Sequence, residues 1–180
     1  MSSAGTIFLQ SAVKRLGYYK ELGDKTLAVL NDADLHYQPN KESNSIAIII
    51  QHMSGNMVSR WTDFLNTDGE KEWRNRDLEF EILPLTKEQL VAMWEKGWSV
   101  CMDAINALTE DDLLKTIYIR REDLTVIDAI NRQLAHYPYH VGQIIYVAKM
   151  IRNEKWESLS IGRNKSQQFN DTMHGQSKTQ

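Results

Sequence analysis

The chain has 180 residues, 42% hydrophobic and 25% charged, with a formal net charge of -3. That is the size and make-up of one soluble globular domain, without the basic field that nucleic acid or an anionic membrane surface would require of a partner. The longest apolar run, Ile46-Ala47-Ile48-Ile49-Ile50, is far shorter than the roughly 20 residues that span a bilayer.

Met1-Ser2-Ser3-Ala4-Gly5 has neither the basic flank nor the apolar stretch of a secretory leader, so a cytoplasmic location is expected. Hydrophobic periodicity predicts a first helix from about Thr6 to Leu30, with Phe8, Leu9, Val13, Leu16, Leu22, Leu27 and Leu30 as apolar positions. Asn31-Asp32-Ala33-Asp34 ends it, and the stretch through Pro39-Asn40 reads as a connector. A second helix begins after Asn44-Ser45 and carries His52, Met57, Trp61 and Phe64 to about Leu65, where Asn66-Thr67-Asp68-Gly69 stops it. Glu70 to Leu85 is polar and aperiodic, a long ordered loop. Thr86-Lys87-Glu88-Gln89 has capping-box spacing and opens a third helix bearing Leu90, Met93, Trp94, Trp98, Cys101, Ile105 and Leu108. Cys101 is the only cysteine; it excludes an intramolecular disulfide and falls on that apolar stripe, where it packs as a small hydrophobe.

Thr109-Glu110-Asp111-Asp112 offers a second capping pattern, for a short helix, and Thr116-Ile117-Tyr118-Ile119-Arg120 has the composition of a hairpin arm. Thr125 and Asp128 open the last long helix, which runs to about Arg152 and is expected to kink at Pro138. The chain is polar from Glu157, and Gly175 to Gln180 is expected to be disordered. The expectation is an all-α four-helix bundle over residues 1–160, with a long crossing loop and a short β-hairpin arm, followed by a polar tail over 161–180.

Five histidines are candidate ligands. His36, in the connector, and His174, in the tail, are expected to be solvated. His136 and His140 stand four residues apart, so one helical face presents both, and His52 lies in another apolar helix. A shared metal would satisfy three imidazoles that are otherwise costly to bury; core histidines satisfied individually are the alternative. Asn56 and Gln143, on adjoining turns, are placed to orient ligands or a bound water. Trp73-Arg74-Asn75-Arg76-Asp77 reads either as a substrate-facing element, its arginines gripping a carboxylate or phosphate, or as a structural loop with Trp73 as anchor and Arg74 or Arg76 paired to Asp77. The Glu-x-x-His pairs of di-iron bundles, the zinc-protease motif and the Gly-rich phosphate loop are all missing.

Ser45 to Asn56, Trp61 to Leu65, Asp68 to Asp77 and His136-Tyr137-Pro138-Tyr139-His140-Val141-Gly142-Gln143-Ile144 together resemble the DinB/YfiT-like superfamily of metal-dependent enzymes, and within it the DUF1572 group. The similarity extends from about Phe8 to about Asn170. It implies a four-helix bundle holding one divalent metal (zinc, nickel or iron) on His52, His136 and His140. It also implies a low-molecular-weight thiol as a second cofactor and S-transfer to a small-molecule electrophile as the reaction. A metal-dependent hydrolase and a non-catalytic metal- or ligand-binding stress protein are the alternatives, and no carboxylate is assigned as general base. A homodimer is expected from the prevalence of two-fold oligomers.

Overall fold

Hydroxyl side chains start each long helix. Ser3 accepts from the Thr6 amide at α1 (Ala4–Ala28), Ser45 from Ile48 at α3 (Ile46–Trp61), Thr86 from Gln89 at α4 (Lys87–Asn106), and Thr125 from Asp128 at α5 (Val126–Arg152). Each satisfies an amide that the first turn leaves without a carbonyl. At α4 the box closes as expected, with the Gln89 side chain accepting from the Thr86 amide at 2.8 Å. This computed structural model describes residues 2–177, with side chains through residue 173.

The described residues form six helices and one two-stranded antiparallel sheet. α3 packs on α4 and α5, and α1 packs on the same two, so the four long helices enclose one core. Leu16, Ile50, Met53, Leu90, Trp98, Ile130 and Ile144 are buried in it, as is Cys101, whose thiol burial pushes well above its ordinary pKa. Trp61 Nε1 donates to Tyr137 Oη at 3.0 Å, and Tyr137 donates to Asn56 Oδ1 at 3.1 Å, a buried chain tying α3 to α5. Gly97 lets α3 and α4 approach closely, because a Cβ there would lie 3.0 Å from Ser54 Cα. Gly97→Val is expected to push these helices apart and lower the urea-unfolding free energy by about 1–3 kcal/mol, the usual cost of overpacking.

β1 (Thr116–Ile119) and β2 (Glu122–Thr125) form the expected hairpin. Its turn places Arg120 and Arg121 at φ 56° and 65°, an arrangement side chains disfavour. The Asp68 carboxylate holds it, accepting from both amides at 2.8 Å.

The structure departs from the sequence reading in several places. The first connector contains α2 (Asp32–His36), started by an Asn31–Asp34 capping box. His36 is not solvated but half-buried, its Nε2 2.7 Å from the Leu85 carbonyl oxygen. α3 stops at Trp61, short of Leu65, and Asp63 follows at φ 47°. The polar tail contains α6 (Ser166–Ser177), which takes up residues 175–177 of the expected disordered end. Residues 178–180 and the side chain of His174 lie outside the described residues. α5 runs unbroken through Pro138. Among the described residues, no helix is long and apolar enough to cross a membrane.

Candidate metal centre

Because α3 and α5 lie side by side, the i, i+4 pair on one helix faces the single histidine on the other. His52 is 6% exposed, and His136 and His140 are half-buried. His136 Nε2 lies 3.4 Å from His52 Nε2 and 3.0 Å from His140 Nε2, and one ligand atom from each residue falls within 4.8 Å of the others. The three are therefore close enough to hold one metal ion. Tetrahedral Zn–N bonds of about 2.0–2.1 Å place ligand nitrogens roughly 3.3 Å apart, close to the two spacings from His136 Nε2.

The opposite side of each ring decides what the Nε2 atoms can do. His52 Nδ1 lies 3.0 Å from Glu79 Oε2, His136 Nδ1 3.2 Å from Gln133 Oε1, and His140 Nδ1 2.8 Å from Gln143 Oε1. Each oxygen accepts, so each Nδ1 carries the proton and each Nε2 presents a lone pair. Three lone pairs aimed at one point repel each other unless a cation lies between them, and a protein oxygen behind each ligating imidazole is the common arrangement in metal sites. The donor set fits a divalent metal.

Glu79 links this centre to the loop between α3 and α4. Burial alone would raise its pKa, but hydrogen bonds from Arg74 and His52 hold the carboxyl below its ordinary value. Arg74 Nε donates to Glu79 Oε1 at 2.7 Å and Nη2 donates to Oε2 at 2.9 Å. Gly55, three residues after His52, makes room for this carboxylate, since a Cβ there would come within 2.7 Å of Glu79 Cδ.

Burial, reinforced by His140 and His52, pushes His136 down to about 3, and burial likewise lowers His140. Above pH 6.5 the His136 imidazole is neutral in both folded and unfolded chains. As pH falls below that value the unfolded chain takes up a proton that the folded chain refuses until about pH 3, so folding stability drops across that window. Metal-stripped protein is accordingly expected to show lower urea midpoints at pH 5 than at pH 7.5. His136→Asn should flatten part of that slope.

Of the expected supporting residues, Gln143 pairs with His140, whereas the Asn56 side-chain oxygen accepts from Tyr137. Glu79 and Gln133 are the supports that the sequence reading did not assign. In the loop, Trp73 is 60% exposed rather than buried as an anchor. Arg74 pairs with Glu79 and Glu70 rather than with Asp77. Arg76 lies over the Phe80 ring, 4.9 Å from its centroid, and Phe80 stacks in turn on His52 at 4.8 Å.

A family model described as "Protein of unknown function (DUF1572)" matches residues 3–165. Among solved structures, the crystal structure of a conserved protein from Enterococcus faecalis is similar at 15% identity, with a TM-score of 0.62 over 78% of this chain and 95% of that one. No curated protein matches.

Proposed function

The chain belongs to the DUF1572 family, and from that premise we propose that it is a divalent-metal-dependent enzyme of the DinB/YfiT-like kind. The four long helices form the bundle of that superfamily, and His52, His136 and His140 hold zinc, nickel or iron. One observation carries the reading: the three histidines gather their Nε2 atoms in one place while each Nδ1 lies within hydrogen-bond distance of a protein oxygen. When bound, such a metal supplies Lewis acidity toward a coordinated thiol or water.

The chain's own groups fix the rest. Glu79, Gln133 and Gln143 hold the imidazole tautomers, and the Arg74 pair keeps Glu79 ionised as an acceptor. Glu79 is therefore not free to serve as a general base. The reaction we favour is transfer of a low-molecular-weight thiol to an electrophilic small molecule: the S–H bond gives up its proton to solvent, the thiolate forms a C–S bond, and the bond from that carbon to its leaving group breaks, the leaving group departing with the electron pair.

Elemental analysis of the purified protein, before and after incubation with zinc or nickel, tests the centre. About one ion per chain is expected, and failure to take up either metal overturns the proposal. Metal-dependent turnover of thiol and electrophile pairs supports the transferase reading. Metal-dependent hydrolysis without a thiol would replace it with the hydrolase, and ligand-induced stabilisation without product would indicate a binding protein.

A further inference from the structure

We propose that the cavity beside the three histidines receives a small organic anion, whose carboxylate or phosphate group is held by Arg60. The inference rests on the proposed metal centre only for what the anion is brought to; the anion subsite itself is formed by arginines. Two helical stripes shape it. His52, Asn56 and Arg60 follow at four-residue steps on α3, and Arg132, His136 and His140 do so on α5, so one helical face carries both histidines and arginines on each element. The cavity between them, about 230 Å³, is lined by His52 and His136 together with Arg60, Arg76, Arg120 and Arg132. It is smaller than the roughly 300–1,000 Å³ of drug-sized ligand sites, a size suited to a small acid or a phosphorylated fragment.

Arg60 is the unusual member. It is 4% exposed, yet its Nε and Nη1 are buried without a hydrogen-bond partner. Arginines in such positions are normally paired, because a buried charge with unsatisfied N–H groups is costly. The neighbouring carboxylates are committed elsewhere: Glu70 to Arg74 and Arg120, Glu79 to Arg74 and His52, and Asp68, whose charge Arg60 feels, to the Arg120 and Arg121 amides. Burial holds the Arg60 guanidinium below its usual pKa, and the charges of Arg132 and Arg74 add to the effect. Gly69 lets the side chain lie where it does, since a Cβ there would meet Arg60 Nη1 at 3.0 Å and Cδ at 3.1 Å. A chain with a net charge of -3 thus gathers several cations around one small cavity, and the deepest has no hydrogen-bonded carboxylate on its Nε or Nη1. A carboxylate or phosphate accepts from a guanidinium in a charge-assisted geometry that a neutral ligand cannot reproduce.

The test is isothermal titration calorimetry with inorganic phosphate and with succinate at fixed ionic strength, on nickel-loaded protein and on protein stripped by chelator and dialysed. Saturable binding of at least one probe, one per chain, is expected in both forms. Arg60→Met should weaken it at least tenfold and, by removing a buried charge with unsatisfied N–H groups, raise the urea midpoint of the ligand-free protein. The exposed Arg132→Gln should weaken it less and serves where Arg60→Met does not fold. Tighter phosphate binding identifies a phosphorylated substrate; tighter succinate binding identifies a carboxylic acid. No saturable binding of either probe, or unchanged binding in both variants, overturns the inference. Nickel uptake without anion binding defeats this inference alone, and anion binding to a protein that takes up no metal defeats the metal centre alone.

Discussion

His136→Ala is expected to remove the metal from the protein while leaving its helices intact. His136 Nε2 is the atom shared by both short nitrogen contacts, 3.4 Å to His52 and 3.0 Å to His140, so its loss leaves two imidazoles with no common neighbour. Losing a residue that merely orients a ligand costs about 10–100-fold in metal affinity; losing the ligand itself should exceed that. Gln133→Ala provides the scale, because it removes only the acceptor of His136 Nδ1 and should fall within that 10–100-fold range. The folding cost of His136→Ala should be small, since the side chain is half-buried and its burial already opposes charge. Nickel titration followed by absorbance, with circular dichroism as the folding control, checks both variants. Stoichiometric metal retained in His136→Ala would place the ion elsewhere.

The clustering of the three histidines was legible in the sequence because a helix converts spacing into direction. His136 and His140 share a face whatever packs against them, and His52 needed only a neighbouring α3 to meet them. The helix starts at Thr86 and Thr125 were legible for a similar reason: a cap acts within three residues. What supports the ligands was not legible by this logic. Glu79 reaches His52 from 27 residues away, out of a stretch with no periodicity, and only the packed fold brings it there. Asn56 shows the converse. Its position one turn from His52 suggested a supporting role, but the buried Tyr137 hydroxyl needs an acceptor and takes it. Arg60 has no motif to mark it, although the four-residue step from Asn56 places it on the same helical face as His52. In the tail, α6 lies in a segment whose side chains at 167–173 are all exposed, so no buried stripe marks it.

The largest effect on stability is expected from Glu79, because one carboxylate serves two partners. Glu79→Ala strands the Arg74 guanidinium, whose side chain is 2% exposed, and breaking such a buried pair typically costs about 3–5 kcal/mol. Glu70 remains 3.3 Å from Arg74 Nη1, which puts the expected loss near the lower end. The same substitution removes the acceptor of His52 Nδ1, so metal affinity should also drop, by about 10–100-fold. The two effects separate in the double variant Arg74→Met with Glu79→Leu. Replacing both charges with apolar side chains removes the stranded cation, and such exchanges are often neutral or stabilising, so the urea midpoint should return close to wild type. Nothing restores an acceptor for His52, so metal affinity should stay as low as in Glu79→Ala. Gly55→Ala approaches the same contact from α3: its Cβ displaces the Glu79 carboxylate without removing either charge, and it should lower metal affinity. If the double variant recovered metal affinity together with stability, Glu79 would be a structural residue that happens to touch His52. If stability recovers alone, the loop between α3 and α4 is part of the metal centre.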